Sequence, residues 1–184
     1  MSELKSAWEI AQERANRLGK LSAEEIEQQE REKCLQSGRA LAQKLLDSPQ
    51  QLDIDAELNQ YDEKARSLVR RSAIEYLVTA IALAKSQSVN KTKIAIRAIT
   101  SLKPELQAEA REIDQLVQEF EQSEQKIREE LENKHREVLH QLRISGTAIA
   151  GTNVEADPEW QPAHQKLLAS FTPRLNALKQ ALLS

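Results

Sequence analysis

One stretch without a helix-breaking residue constrains this chain more than any other feature. Between Glu105 and Arg143 there is no glycine and no proline. An α-helix rises 1.5 Å per residue, so this stretch predicts a helix of roughly 58 Å, about twice the diameter of a small domain. Pro104 stands just before it, at the first helical position, where proline is tolerated. We therefore predict one long helical arm.

The composition of the whole chain favours the same kind of structure. Aromatic residues make up 3% and charged residues 30% of the 184 residues, with only four glycines and five prolines. Strong helix formers dominate, while few aromatic and β-branched residues are present to build a sheet. The predicted fold class is all-α: a helical bundle with one long antiparallel coiled-coil-like arm and a short extended crossover before the C-terminal helices. The length fits a single domain, residues 1–184.

Residues 1–48 are predicted to form an N-terminal helical hairpin. The first helix ends at Gly19, and the second begins with a capping box, in which Ser22 reaches forward and Glu25 reaches back. The second helix ends before Pro49 and has little to bury in its first half, so that half is expected on the surface. An apolar stripe follows one face of the first helix: Leu4, Trp8, Ala11, Ala15 and Leu18.

Residues 54–143 are predicted to hold the core helices and the long arm. A third helix, capped by Asp53 or Asp55, is apolar nearly all round from Leu68 onward, which is typical of a buried helix. Asn90 is expected to cap a short helix after it. Residues 62–103 carry nine Lys/Arg against three Asp/Glu, and residues 104–140 carry five against eleven. These opposite charges predict that residues 54–102 pack antiparallel against residues 105–143.

The long arm carries an apolar seam at coiled-coil spacing, interrupted by Glu124 and His135. Such a seam exceeds what a small core would cover, so we expect it to bind a second copy of the chain or another protein. The predicted partner interface consists of Val117, Phe120, Ile127, Leu131, Val138 and Leu142.

The charged, helix-forming sequence is interrupted at residues 146–160, GTAIAGTNVEADPEW. Residues 144–157 are predicted to be the extended crossover. Its two glycines have phosphate-loop spacing, but Thr152 stands where the loop requires lysine. Gly146 is expected to end the long helix, and Asp157, Pro158 and Glu159 to open the C-terminal helical region, residues 158–184. We predict that Trp160 is buried against the terminal leucine helix or the third helix, with a recognition loop as the alternative reading. Pro173 is expected to kink or restart the last helix.

Two E-x-x-H pairs, Glu132 with His135 and Glu137 with His140, match a pattern found in di-iron helical bundles. Both lie on one helix, five residues apart, and so face in different directions. Metal binding through these four residues is therefore an alternative hypothesis, and the sequence predicts no metal, no cofactor and no catalytic residue. His164 is expected on the surface, and Cys34, the single cysteine, is expected to be a bystander.

The net charge of −3 gives no general attraction to nucleic acid, which is therefore not expected as a partner. A ribosome- or RNA-associated factor remains an alternative, provided that the basic residues of the 62–103 segment share one solvent-facing surface. No secretory signal and no membrane-spanning run is predicted, and the lone cysteine favours the cytoplasm. The basic residues in question are Arg66, Arg70, Arg71, Lys91, Lys93 and Arg97.

Four stretches of the chain, LKSAWEIA, YDEKAR, GTAIAGTNVEADPEWQ and PRLNALK, resemble a family of uncharacterised bacterial all-helical proteins. The resemblance implies an all-helical fold over nearly the whole chain and brings no activity and no functional residues. The sequence thus predicts a non-enzymatic cytoplasmic interaction or scaffold protein, acting as a homodimer or with a protein partner.

Overall fold

The computed structural model describes residues 22–48, 53–83, 86–142 and 153–184, and these residues contain α-helices and no β-strand. The predicted all-α class and the long helix are confirmed. The predicted first helix and residues 144–152 of the crossover, which include Gly146, lie outside the described residues. The helices are α1 (Ala23–Asp47), α2 (Ile54–Leu58), α3 (Glu63–Ala80), α4 (Ser86–Leu102), α5 (Gln107–Gln141) and α6 (Trp160–Leu183), with 3-10 turns at Pro104–Leu106 and Val154–Ala156.

The start and end of α1 follow the predicted local signals. Glu25 N–H donates to the Ser22 hydroxyl at 3.1 Å, and the Glu25 carboxylate accepts from Ser22 N–H at 2.7 Å. The helix ends at Asp47 with Ser48 as its cap, just before Pro49. Residues 24–33 are exposed, as the polar sequence of this half predicted.

Helices α1 and α3 lie side by side and run in the same direction. Residue numbers increase together along both helices in the contacts between them. These contacts are Lys64 with Glu27 at 3.0 Å, the Ser72 hydroxyl with the Leu35 carbonyl at 2.8 Å, and the Tyr76 hydroxyl with Gln43 at 2.8 Å. Since parallel neighbours need a return connection, residues 48–62, which include α2, carry the chain back to the start of α3.

The prediction of one continuous third helix from about residue 54 was wrong, because the chain breaks between α2 and α3. Asp53 caps α2, and Asp62 caps α3 by accepting the N–H of Ala65 at 2.7 Å. Arg66 donates to the Leu58 carbonyl at 3.1 Å and the Tyr61 carbonyl at 3.2 Å. These bonds satisfy backbone groups that the break leaves without a helical partner.

The expected role of α3 as the centre of the core is confirmed, since its second half is buried. Its neighbour α4 begins at Ser86 and not at Asn90, so the predicted Asn90 cap was wrong. The fully buried Thr92 hydroxyl instead holds the turn before α4, donating to the Ala82 carbonyl at 2.8 Å and accepting its N–H at 2.9 Å. The buried residues of α3 are Val69, Ser72, Ala73, Ile74, Leu77 and Val78.

Helices α4, α5 and α6 form an antiparallel series. Lys93 of α4 bonds Glu121 of α5 at 2.9 Å, so part of the basic segment does pack against the acidic helix. Along α5 and α6, Glu119 meets Arg174 at 2.9 Å, and Lys134 meets Glu159 at 2.7 Å. Because residue numbers rise along one helix as they fall along the other, α6 folds back along α5.

Pro173 lies inside α6, which continues without interruption to Leu183, so the predicted restart is not observed. The hydroxyl of Thr172 donates to the Leu168 carbonyl at 2.6 Å. A threonine hydroxyl bonded back to the preceding turn is compatible with the helix, and packing on α5 holds both sides of the proline in one element. Tertiary contacts therefore outweigh the local preference of proline.

Candidate functional site

The predicted partner interface divides into a covered part and an exposed part. Val117 and Phe120 are 0% and 1% exposed in the main core, and Leu131 is 5% exposed. Ile127 is half-buried beside Leu131. These four residues lie beneath segments of the same chain, chiefly α6 and the 3-10 turn before it. Only Val138 and Leu142, which are 53% and 64% exposed, remain accessible on this seam.

A small second core fastens residues 153–164 to α5. Trp160, Leu131 and Val154 are buried together there. The burial of Trp160 is confirmed, but its partners lie on the long helix and in the 3-10 turn, not on the helices that were predicted. The described part of the crossover is a 3-10 turn at Val154–Ala156, where an extended segment was expected.

Polar groups surround this second core. The guanidinium carbon of Arg128 lies 4.9 Å from the centre of the Trp160 ring, a cation–π contact, and Arg128 also bonds Glu155 at 3.2 Å. Sequence reasoning missed Arg128. Its spacing from Glu124 and Leu131, one turn in each direction, is the signal that would have placed it on the seam.

His164 was predicted on the surface, and the structure corrects this prediction. Its imidazole is 14% exposed, stacks on Trp160 with ring centres 5.4 Å apart, and meets the edge of Phe120 at 6.1 Å. Glu124 of α5 lies 3.4 Å from its Nε2. Sequence proximity gave no hint of this carboxylate, because the antiparallel return of α6 brings the two residues together.

His135 pairs with Asp157, which lies three residues before the start of α6. Asp157 also accepts the N–H of Glu159 at 2.6 Å. This backbone bond, helped by His135, holds the pKa of the Asp157 carboxyl below its usual range. The predicted capping role of Asp157 is thus retained in part, although α6 begins at Trp160. The two histidine–carboxylate pairs lie at either side of Trp160 along α5.

The four residues of the E-x-x-H pairs are not brought together as ligands. His135 is engaged by Asp157, and Glu132 lies 3.4 Å from Arg136 on the next turn. Glu137 and His140 are exposed. Within the described ranges, no group of three histidine, cysteine or acidic residues is arranged to hold a metal ion.

Three of the six basic residues considered for RNA binding are bonded to other groups of the chain. Arg66 is directed at backbone carbonyls, Arg71 pairs with Glu75 on its own helix, and Lys93 pairs with Glu121. Lys91 and Arg97 are exposed, and Arg70 is half-buried.

Comparison with known proteins defines the class of this helical chain. Residues 55–182 match the model of a family described as a family of unknown function, DUF6657. The chain belongs to this family, and the match spans α2 to α6 but leaves out α1. No curated protein and no solved structure matches the chain. In the part of the chain that the structure describes, no helix has the length and apolarity needed to cross a membrane.

Proposed function

We propose that this protein is a non-enzymatic interaction protein of the cytoplasm, and that it binds a protein partner through the free end of α5. The observation that carries the proposal is the continuation of the seam into solvent. Leu131 is buried, His135 is half-buried, and Val138 and Leu142 are mostly exposed. These positions are spaced by four, three and four residues, so they form one stripe on the helix.

Isolated exposed apolar residues are common on protein surfaces, but two on the same face of a helix end form an anchor. We call residues 136–142 the arm tip. Seven helical residues span only about 10 Å. A stable interface takes about 800 Å² from each partner, so two arm tips alone do not make a stable dimer. The tip therefore fits the groove of a larger partner better than the tip of a second copy.

RNA association and metal binding receive less support. Several of the basic residues are engaged by the chain itself, and the net charge is negative. His135, one of the two histidines of the E-x-x-H pairs, is bonded to Asp157.

Site-specific photocrosslinking at position 138 in the native cytoplasm tests the proposal. A crosslinker at His140, which is exposed on the same turn but falls on the opposite face of the helix, is the matched control. We expect a discrete adduct from position 138, and the identified protein, once purified, should bind wild type at least tenfold more tightly than Val138→Asp with Leu142→Asp.

The double variant should keep the wild-type free energy of unfolding, because both side chains are exposed. Equal, diffuse crosslinking from positions 138 and 140 would show that the arm tip is not an interaction site. An adduct between two copies, with a dimer in sedimentation velocity, would favour the homodimer.

A further inference from the structure

A groove with a volume of about 800 Å³ lies between the N-terminal halves of α1 and α3. Further along, the two helices are in close contact where Gly38 lies against Val69. In the groove, by contrast, part of the apolar face of each helix lies outside the contact with the other. The side chains of this floor are all half-buried: Cys34 and Leu35 of α1 with Ala65 and Leu68 of α3.

The rim of the groove is acidic. Five carboxylates line the groove together with the two cations Arg31 and Lys64, which gives a net charge of −3. Such a rim repels an anionic surface, such as a nucleic acid or an acidic lipid headgroup, and attracts a cationic one. The carboxylates are those of Glu24, Glu27, Glu30, Glu32 and Asp62.

We infer that this groove binds an amphipathic helix of a partner protein, with lysine or arginine residues beside its apolar stripe. The stripe lies on the four floor side chains, and the basic residues meet the carboxylates of the rim. From Glu24 to Leu35, α1 extends roughly 16 Å, so the groove accommodates about three turns of such a helix. Because the groove shares no residue with the arm tip, this binding does not depend on the proposed function of the tip.

The floor and the rim contribute to binding in different ways. Apolar area removed from water at the floor supplies most of the binding free energy. Exposed ion pairs at the rim add little to the affinity, but they raise the association rate and select a basic partner. Since the floor consists of only four side chains, the complex should be weak and reversible, and its affinity should fall as the salt concentration rises.

An ion pair of the chain itself competes with the basic residues of the partner. Lys64 of α3 bonds Glu27 of α1 at 3.0 Å, and the two side chains are 80% and 71% exposed. Their hydrogen bond raises the pKa of Lys64 and lowers the pKa of Glu27, so both groups are charged at neutral pH. A pair this exposed opens at little cost, and a basic residue of the partner then replaces Lys64 on Glu27.

Synthetic helical peptides of about four turns test the inference on the full-length protein. The basic probe carries leucines along one face and lysines beside them. A second probe has alanine in place of leucine, and a third has glutamate in place of lysine. Fluorescence anisotropy should show binding of the basic probe, binding of the alanine probe weaker by about tenfold or more, and no binding of the acidic probe. Failure of the basic probe to bind, or equal affinity for the leucine and alanine probes, would overturn the inference.

Paired charge variants separate the groove from the net charge of the protein. Glu24→Gln with Glu27→Gln should weaken binding of the basic probe by about three- to tenfold. Glu129→Gln with Glu130→Gln, at exposed positions of α5, makes the same change in net charge and should leave the affinity within about twofold of wild type. Equal weakening by both double variants would show that the probe does not recognise the rim.

Removal of the competing lysine should have the opposite effect. Lys64→Gln frees Glu27 for the probe and should tighten its binding by about two- to threefold. Lys126→Gln, at an exposed position of α5, is the control with the same net charge and should bind as wild type does. Weaker binding by Lys64→Gln would contradict the exchange of partners on Glu27.

Cys34 reports whether the probe lies on the floor, because it is the single cysteine and is free. The rate at which a neutral maleimide modifies Cys34 should fall several-fold when the basic probe is saturating, and should not change with the acidic probe. An unchanged rate with the basic probe bound would place the probe elsewhere and overturn the inference. A rate that falls with protein concentration alone, without any probe, would replace the partner helix with a second copy of the chain.

Discussion

A Cβ atom built on Gly38 of α1 would lie 2.4 Å from the carbonyl oxygen of Val69 on α3. It would also lie 2.7 Å from the Ser72 Cβ. The two parallel helices therefore approach closely because this position carries no side chain. Backbone atoms are the obstacle, and they cannot rotate away as the end of a flexible side chain can.

Gly38→Ala should destabilise the protein although alanine is the better helix former. The clash requires the helices to separate, and overpacking of this kind typically costs about 1–3 kcal/mol. The gain in helix propensity of about 1 kcal/mol offsets only part of it. Urea unfolding measures the difference. Arg39→Ala, at an exposed neighbouring position, should remain within about 0.5 kcal/mol of wild type. A Gly38→Ala protein more stable than wild type would contradict the close approach.

Trp160→Ala should lower the free energy of unfolding by about 3–5 kcal/mol, the range for deleting a large buried aromatic side chain. Trp160 is 5% exposed and contacts His164 and Arg128 in addition to its apolar neighbours. Val138→Ala is the control, because that side chain is more than half exposed and its loss should be nearly neutral. If Trp160→Ala unfolded at the wild-type urea concentration, residues 153–160 would not depend on the second core.

Asp157 should make stability sensitive to acid. Its pKa is lowered in the folded protein, so its contribution is present above the ordinary aspartate pKa of about 3.9 and is lost as pH falls through the folded value. Wild type should therefore exceed Asp157→Asn in stability at pH 7, and the difference should shrink below about pH 3.5. Urea unfolding of both proteins at the two pH values provides the comparison.

Glu137→Gln is the matched control for this titration, because Glu137 is exposed on the same helix as His135. It should show little difference from wild type at either pH. An Asp157→Asn difference that stays constant between neutral and acid pH would mean that the carboxylate charge does not stabilise the fold.

Lys179→Met should cost more than Arg174→Met, although both residues lie on α6. The ammonium of Lys179 donates to the Ile81 carbonyl, just past the end of α3, at 2.7 Å, and burial lowers the pKa of this lysine. Losing a partly buried charged donor to that carbonyl should cost about 1–2 kcal/mol. The exposed pair of Arg174 with Glu119 should contribute less than about 1 kcal/mol. Equal losses in urea unfolding would refute a special role for Lys179.

Local signals in the sequence predicted the ends of several elements. The Ser22–Glu25 capping box, the stop before Pro49 and the start at Pro104 each depend on a few adjacent residues, and each is observed. The break after α2 was missed because Asp53, Asp55 and Asp62 are all suitable caps within a stretch of good helix formers. The bonds of Arg66 to the Leu58 and Tyr61 carbonyls, which the pattern of caps and helix formers does not predict, accompany the break that is observed.

The candidate site was harder to predict because its contacts join distant parts of the chain. Apolar spacing along α5 identified the seam but carries no information on whether α6 or another molecule covers it. Glu124 and His135, which interrupt the apolar seam, meet His164 and Asp157. A polar residue on an apolar stripe can therefore indicate a partner elsewhere in the same chain.

The segments that cover α5, which are α6 and the 3-10 turn before it, are synthesised after α5 itself. The side chains of Phe120 and Leu131 are packed beneath residues that the ribosome adds later, between Val154 and Leu182. While the nascent chain grows, this stripe on α5 emerges before its cover and is open to chaperones and to other unfinished chains. Once α6 is complete, it covers this stripe on α5. Truncation within α6 should therefore produce a protein prone to aggregation.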